Sequence, residues 1–323
     1  MSRLNVGKLI ASLGVRLPSF TDATRPAGET GLLIYNSEQG FVEVYNGEEW
    51  ANAARGSFTV EATGGNIYTS ATHTYHVFDG PGTFGIVQAK PGTTCDVLVV
   101  AGGGSGGVHY YNGGGGAGGV VHVQNFPIQA LGTGVTVTVG GGGTYPRGNG
   151  LPSSFGSFLS ATGGGCGGGG PRSGPAGEPG GSGGGGSLYR STRGTGLQPQ
   201  VSQSTGAGSL TVNAGSNGGT GPGWPGSPPG GGGGGGAGSA GQPWQPSGAG
   251  DGGIGVEIPG FSAADHPALA AGGRYGGGGG GGTYSPNATP RRAYGGVHPG
   301  GSPANPQGLG YGGGNGGSYG PAN

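Results

Sequence analysis

The chain has 323 residues, of which 94 are glycine, and 13 basic and 13 acidic residues give it a formal net charge of zero. Glycine at about four times its usual share excludes an ordinary side-chain core for most of the chain. Lysine occurs only at Lys8 and Lys90, and this charge pattern lacks the clustered basic surface of nucleic-acid binders. We therefore expect no nucleic-acid partner.

The first elements in chain order are an arm and a hairpin. Residues 1–28 are predicted to form an extended arm, because Pro18 and Pro26 interrupt a short apolar periodicity. Residues 29–57 are predicted to form a small β-hairpin module, since two β-rich runs are separated by a turn at residues 36–40. A second turn is predicted at Asn46 and Gly47, ahead of Trp50.

A β-strand segment is predicted at residues 58–101. Apolar and β-branched residues alternate there in short runs. The predicted strands cover residues 57–61, 72–78, 83–88 and 95–101.

The chain from residue 102 to 323 is predicted to be a glycine-rich domain of packed polyglycine-II helices with a few β-strands. A helix of this kind rises about 3.1 Å per residue with three residues per turn, and its backbone amides point outward, where they can pair with neighbouring rods. The whole chain is thus placed in a mostly β and irregular fold class. The pure glycine blocks are residues 102–104, 113–116, 140–143, 183–186, 230–236, 276–282 and 312–314, with 163–170 interrupted by Cys166.

Two other structures compete for the glycine-rich part. Disorder is the simplest alternative, because glycine loses the most backbone entropy on folding. A collagen triple helix needs glycine at every third position, and only residues 174–182 keep that register. Recurrent blocks between Tyr-rich and Pro-rich segments favour short rods joined by connecting loops.

The two cysteines, Cys95 and Cys166, stand far apart in sequence and lack the spacing of metal or disulfide sites. We expect both to be free thiols used as small apolar residues. The longest apolar run, residues 97–101, is much shorter than the ~20 residues of a membrane span. The opening residues do not resemble a secretory signal, so synthesis and assembly in a cytoplasm are expected.

Two stretches carry a resemblance to a known class of proteins. Leu33 to Asn36, followed by Phe41, Glu43, Tyr45 and Trp50, resembles a hairpin module of tail-fibre and other virion proteins of tailed bacteriophages, especially marine ones. The opening, Met1 to Val6, is similar to the start of many such proteins.

The second stretch resembles the glycine-rich domain of phage fibres, and more distantly the polyglycine sandwich of adhesins at the fibre tips of T-even-like phages. The motifs that carry this resemblance lie at residues 97–104, 135–140, 154–156, 161–165 and 252–255.

The resemblance implies a virion structural protein of tail-fibre or adhesin type, whose N-terminal region docks to other virion proteins. Its glycine-rich part would project outward toward a host-surface glycan, lipopolysaccharide or outer-membrane protein. A homo-oligomer is implied, with a trimer preferred. A purely structural head or tail fibre or decoration protein is the alternative. The arm and hairpin differ from the fibre-binding end of a tip adhesin and look more like a virion attachment segment. The position of the protein on the particle therefore stays open.

The residues give no indication of an enzyme or a cofactor. Asp251 and Glu257 are close in sequence, but a solvated turn explains them more simply than a glycosidase pair. His73 and His76 should point to opposite faces of a strand, so no metal site is predicted.

Aromatic and arginine side chains in the connecting segments are the candidate receptor contacts. Tyr and Trp suit the C–H faces of sugars, and Arg suits anionic groups. The alternative is that the rings cap the glycine rods or lie in a subunit contact. The candidates are Tyr189, Arg190, Arg193, Trp224, Trp244, Tyr284, Arg291, Arg292 and Tyr294.

Overall fold

The regular structure consists of short strands and two 3-10 helices, Asp22–Thr24 and Ile128–Leu131. No α-helix occurs among the residues that the structure describes, and the predicted mostly β and irregular fold class is confirmed. The computed structural model describes residues 16–53, 60–89, 92–108, 111–131, 134–144, 146–169, 174–198, 208–223, 230–246, 248–262, 264–266, 269 and 273–282.

The chain divides into two compact units. The first contains residues 1–61 and 88–91, and the second contains residues 62–87 and 92–323.

The first unit is built on a four-stranded sheet in the order β1-β2-β3-β4. Within the stretch predicted as a hairpin module, residues 29–57, β2 and β3 pair antiparallel around a turn where Gly40 has φ +80°. The strands are β1 Ser19–Phe20, β2 Leu33–Asn36, β3 Phe41–Tyr45 and β4 Trp50–Asn52.

A buried ion pair lies on one face of this sheet. The Glu43 side chain is fully buried, and Arg25 donates to both of its carboxylate oxygens at 2.8 and 2.7 Å. Asn36, also fully buried, donates to Asp22 at 2.7 Å and thereby lowers the pKa of that carboxyl. Such pairing is needed because an isolated buried charge is costly.

The second unit contains several small sheets. Their strand orders are β13-β12-β11-β8-β5, β14-β10-β9, β6-β7 and β15-β16. The strands are β5 Glu61–Thr63, β6 Asn66–Thr69, β7 Thr74–Val77, β8 Gly82–Gln88, β9 Thr94–Val100, β10 Val120–Pro127, β11 Val135–Thr138, β12 Ser153–Phe155, β13 Leu159–Ala161, β14 Ser209–Ala214, β15 Val256–Glu257 and β16 Arg274–Tyr275.

The main hydrophobic cluster lies among the larger sheets of this unit. Phe126, 1% exposed, packs edge-to-face on Phe155 and Phe158 with ring centroids 6.0 and 5.5 Å apart. Alternation along β11, where Val135 and Val137 are buried and their neighbours exposed, shows the two-residue period of a half-buried strand.

The remaining glycine-rich chain passes back and forth between the sheets and the opposite end as extended segments held by backbone hydrogen bonds. We call this set the glycine bundle. Its segments are residues 101–107, 112–119, 140–143, 148–151, 162–169, 174–180, 181–188, 191–198, 214–221, 230–238, 240–244, 248–255 and 276–282.

Hydrogen bonding within the bundle repeats every three residues. In segment 181–188, Ser182 and Gly185 both donate their N–H groups to segment 112–119, at N···O distances of 2.9 and 2.8 Å. Their carbonyl oxygens both accept from segment 162–169, at 2.9 and 2.8 Å. Counted over residues 182–186, the donors and acceptors reach six neighbouring segments: 112–119, 162–169, 174–180, 191–198, 214–221 and 230–238.

At many glycine positions the contact between segments leaves no room for a side chain. A Cβ atom on Gly184 would lie 2.0 Å from the carbonyl oxygen of Cys166, and one on Gly113 would lie 1.9 Å from that of Gly185. The bundle interior is accordingly buried, with Ser182 fully so. Backbone pairing therefore replaces side-chain packing as the main cohesive interaction.

Candidate binding surface at one end of the glycine bundle

Several connecting turns of the bundle, among them those at residues 189–190 and 245–248, lie at one end, which we call the connector end. Segments 162–169 and 214–221 run parallel to segment 181–188, whereas 112–119 and 230–238 run antiparallel. The turn at Leu188 therefore lies at the same end as the start of segment 230–238. Three backbone hydrogen bonds hold the segment ends together there: the N–H groups of Leu188, Gly221 and Trp244 donate to the carbonyl oxygens of Tyr111 (3.0 Å), Ser191 (3.1 Å) and Thr220 (2.9 Å), respectively.

The opposite end of the bundle is attached to the sheets. Strand β9 leads directly into segment 101–107, and segment 112–119 leads into β10. A second hydrophobic cluster closes this end, with Val120, Ile258 and Tyr275 almost wholly buried. The connectors are therefore presented away from the sheets, on a scaffold that is hydrogen-bonded along its length.

Tyr189 and Arg190 lie in a tight turn at the connector end. Ser187 donates its N–H to the carbonyl of Arg190 at 2.8 Å, and its hydroxyl oxygen accepts from the Arg190 N–H at 3.2 Å. Tyr189 is half-buried and Arg190 is exposed. Because the N–H and the carbonyl of Arg190 are both hydrogen-bonded, the turn fixes the backbone position from which its side chain extends.

Arg193 follows two residues into segment 191–198 and is also exposed. Within the described part of the chain, the guanidinium groups of Arg190 and Arg193 form no ion pair or hydrogen bond. The connector end thus carries cationic groups whose donors are available to a ligand.

Trp244 has a different environment. It is half-buried, and its Cδ1 atom lies 2.7 Å from where a Cβ on Gly230 would stand. Its indole Nε1 is buried and donates no hydrogen bond to a described residue. The ring therefore packs over the start of segment 230–238, which matches the capping alternative as well as a contact role.

The other predicted contact residues lie outside the described residues: Trp224, Tyr284, Arg291, Arg292 and Tyr294.

One family comparison bears on the glycine bundle. A family profile described as a glycine-rich domain matches residues 78–323, about three quarters of the chain. The chain belongs to this glycine-rich domain family. No curated protein and no solved structure matches it.

Arg147 is a structural residue of the glycine-rich domain that the sequence analysis did not single out. Its guanidinium donates to the carbonyl oxygens of Gly167 at 2.7 Å and Ala176 at 3.1 Å, and it lies 3.4 Å from the Glu178 carboxylate. It joins two segments near the connector end. An isolated arginine between a proline and a glycine gives no pattern from which this contact could be predicted.

The carboxylates and histidines of the glycine-rich domain are dispersed. Glu257 pairs with Arg274 at 3.2 Å, while Asp251 lines a groove on the side of the bundle. Among the described residues, no group of three or more His, Cys, Asp and Glu side chains could hold a metal ion. Cys95 and Cys166 are both free thiols.

No helix among the described residues is long and apolar enough to cross a bilayer.

Proposed function

We propose that this protein is a bacteriophage virion structural protein of tail-fibre or adhesin type that contributes to host-surface recognition and attachment. The observation that carries the proposal is the meeting of the connectors at one end of the glycine bundle. A recognition protein needs varied side chains held on a rigid support, and loops on a fixed scaffold are where binding residues concentrate. The exposed Arg190 and Arg193 and the half-buried Tyr189 supply that chemistry.

The glycine segments are proposed to be polyglycine-II helices. A helix with three residues per turn directs every third N–H to the same neighbour, which is the repeat followed by Ser182 and Gly185. Six neighbours around one segment is the number expected for rods whose axes are aligned and that pack hexagonally, whichever way each chain runs. Close backbone approach also favours Cα–H···O contacts between rods.

The N-terminal region, residues 1–57, is proposed to dock the chain to other virion proteins, and a homotrimer is the preferred assembly. The change in composition near residue 100 and the separate compact unit that holds β1 to β4 support a division of labour. A chain lacking residues 1–57 should retain the glycine bundle but fail to join particles. Normal incorporation of that truncated chain would reject the docking role.

A purely structural fibre or decoration protein is the second candidate. The packing of Trp244 against Gly230 favours it, since that ring contributes to closing the bundle. A structural protein would bury the connector end against a neighbouring subunit, whereas an adhesin would leave it accessible to the host.

The decisive experiment measures adsorption of virions that carry Tyr189→Ala together with Arg190→Ala. Neither change removes a backbone hydrogen bond, so assembly should be normal. Loss of two contact side chains near the centre of an interface should slow adsorption by about tenfold or more, as expected for hot-spot residues.

The matched control is Arg274→Ala, which removes an exposed arginine from the sheet end. It should leave both assembly and adsorption unchanged. Unchanged adsorption by the Tyr189 and Arg190 variant, or the absence of the protein from purified virions, would overturn the proposal.

A further inference from the structure

A groove of about 500 Å³ on the side of the glycine bundle is lined by residues of segments 240–244 and 248–255 and of the turns next to them. It is distinct from the turn that carries Tyr189 and Arg190. Its volume lies within the ~300–1,000 Å³ range of small-molecule sites. The residues that line it are Ser239, Gln242, Gln245, Ala249, Asp251, Gly252 and Ile254.

Backbone hydrogen bonds fix the relative positions of the residues that line this groove. Gln242 donates its N–H to the carbonyl of Asp251 at 2.8 Å, so these two residues face each other across the paired segments. Gln245 and Gly248 exchange two backbone hydrogen bonds, at 3.0 and 2.8 Å, and close the end nearest the connectors. At the other end the Ser239 hydroxyl oxygen accepts from the Ile254 N–H at 3.0 Å.

The groove is also anchored to the bundle beneath it. Gly233 donates to the Gln242 carbonyl at 3.0 Å, and Gly250 donates to the Gly231 carbonyl at 2.8 Å. Little backbone entropy therefore remains to be lost when a ligand binds, which favours affinity.

Three planar polar side chains of groove residues have no hydrogen-bond or ion-pair partner among the described residues. The amides of Gln242 and Gln245 and the carboxylate of Asp251 form no hydrogen bond or ion pair there. Each amide offers two donors and an acceptor, and the carboxylate offers acceptors only. Ile254, 42% exposed, adds an apolar surface at the end of the groove near Ser239.

We propose that this groove is a saccharide-binding site for a neutral or amino sugar. Adjacent sugar hydroxyls present paired donors and acceptors that match amide and carboxylate groups, and a C–H face can rest on Ile254. Among the described residues of the lining Asp251 is the only charged one, so a phosphate, sulfate or uronic acid would meet an unpaired like charge. This site would give the proposed host recognition a defined class of receptor, a neutral or amino sugar. Its biological role rests on the proposed function, whereas sugar binding itself does not.

The test uses the purified full-length chain and an array of neutral, amino and acidic oligosaccharides together with unrelated peptides. We expect binding to at least one neutral or amino sugar. Asp251→Asn and Gln242→Ala should each weaken its Kd by about tenfold or more, as expected for loss of a hydrogen bond in which one partner is charged or buried. The matched control is Glu257→Gln, an exposed carboxylate at the sheet end, which should bind like the wild type.

Melting temperatures should match the wild type for each variant. If Asp251→Asn does not fold, Gln242→Ala alone tests the site. Four results would overturn the site: no sugar bound, preference for acidic sugars, capture of peptides in place of sugars, or binding by both groove variants that equals that of the wild type. A chain that binds sugar through this groove but is absent from virions would keep the site and reject the proposed function.

Discussion

The carbonyl oxygen of Gly232 lies 2.1 Å from the position that a Cβ atom on Gly185 would occupy. Gly185 is buried, and its own N–H donates to Gly114 at 2.8 Å. Neither neighbour is the flexible end of a side chain, so a methyl group can be accommodated only by moving backbone.

Gly185→Ala should therefore destabilise the second unit by about 3 kcal/mol, at the upper end of the cost of overpacking. In a unit of this size the melting temperature should fall by about 6–12 °C. The measurement is thermal unfolding followed by circular dichroism or calorimetry.

Gly141→Ala is the matched control, since Gly141 is exposed and no atom lies within 4 Å of its Cβ position. Its free energy of unfolding should stay within about 1 kcal/mol of the wild type. Equal melting temperatures for the two variants would contradict tight backbone packing at Gly185.

His122 should make the second unit sensitive to acid. Its side chain is 1% exposed, Nδ1 lies 2.6 Å from the Thr211 hydroxyl, and Nε2 is buried without a partner among the described residues. Burial lowers the pKa of His122, an effect that Asp96 partly opposes. The folded state thus binds this proton less readily than the unfolded state, whose imidazole titrates near pH 6.5.

The stability that depends on neutral His122 is complete above about pH 6.5 and is lost as the pH falls from there through the lower folded pKa. His122→Phe, which keeps an aromatic ring against Phe261, should flatten the decline in unfolding free energy between pH 7.5 and pH 5. His73→Gln, an exposed imidazole, should leave the decline nearly as steep as in the wild type. An unaltered slope in His122→Phe would show that other groups govern the acid response.

Cys95 should react slowly with alkylating reagents. Burial and the charge of Asp96 raise the pKa of its thiol to about 11. At pH 8 about 0.1% of it would be thiolate, compared with about a quarter for a thiol of pKa 8.5. Iodoacetamide labelling followed by mass spectrometry should run at least about a hundredfold slower in the native chain than in urea. Labelling rates of Cys95 in the native chain and in urea that lie within a few-fold of each other would show that its thiol is not shielded from solvent.

The hairpin and several strands could be predicted because their signals are local. The turn residues around Gly40 and Gly47 fix β2, β3 and β4, and alternation fixes β11. Strand β14, by contrast, pairs with β10 through a register in which Val212 lies opposite His122. No short-range pattern specifies a pairing over that distance in sequence.

The candidate surfaces could be predicted only in part for the same reason. The sequence places Arg190 in a connector, and hydrogen bonds to Ser187 hold its backbone at the connector end. The groove depends on Gln242 lying opposite Asp251. Since glycine segments carry no side-chain pattern, their register cannot be read from residue order and is set by backbone pairing alone.

The proposed recognition surface requires the glycine bundle to be an ordered scaffold in solution. Amide hydrogen exchange, measured by mass spectrometry on peptides that cover residues 181–188 and 140–143, tests this. The N–H groups of Ser182 to Gly186 are buried and hydrogen-bonded, so they should exchange roughly a thousandfold more slowly than unprotected glycine, a local stability of about 4 kcal/mol. Exposed Gly141 and Gly142 should exchange at close to the unprotected rate. Complete exchange of residues 182–186 within seconds would contradict the scaffold and the recognition surface that it is proposed to carry.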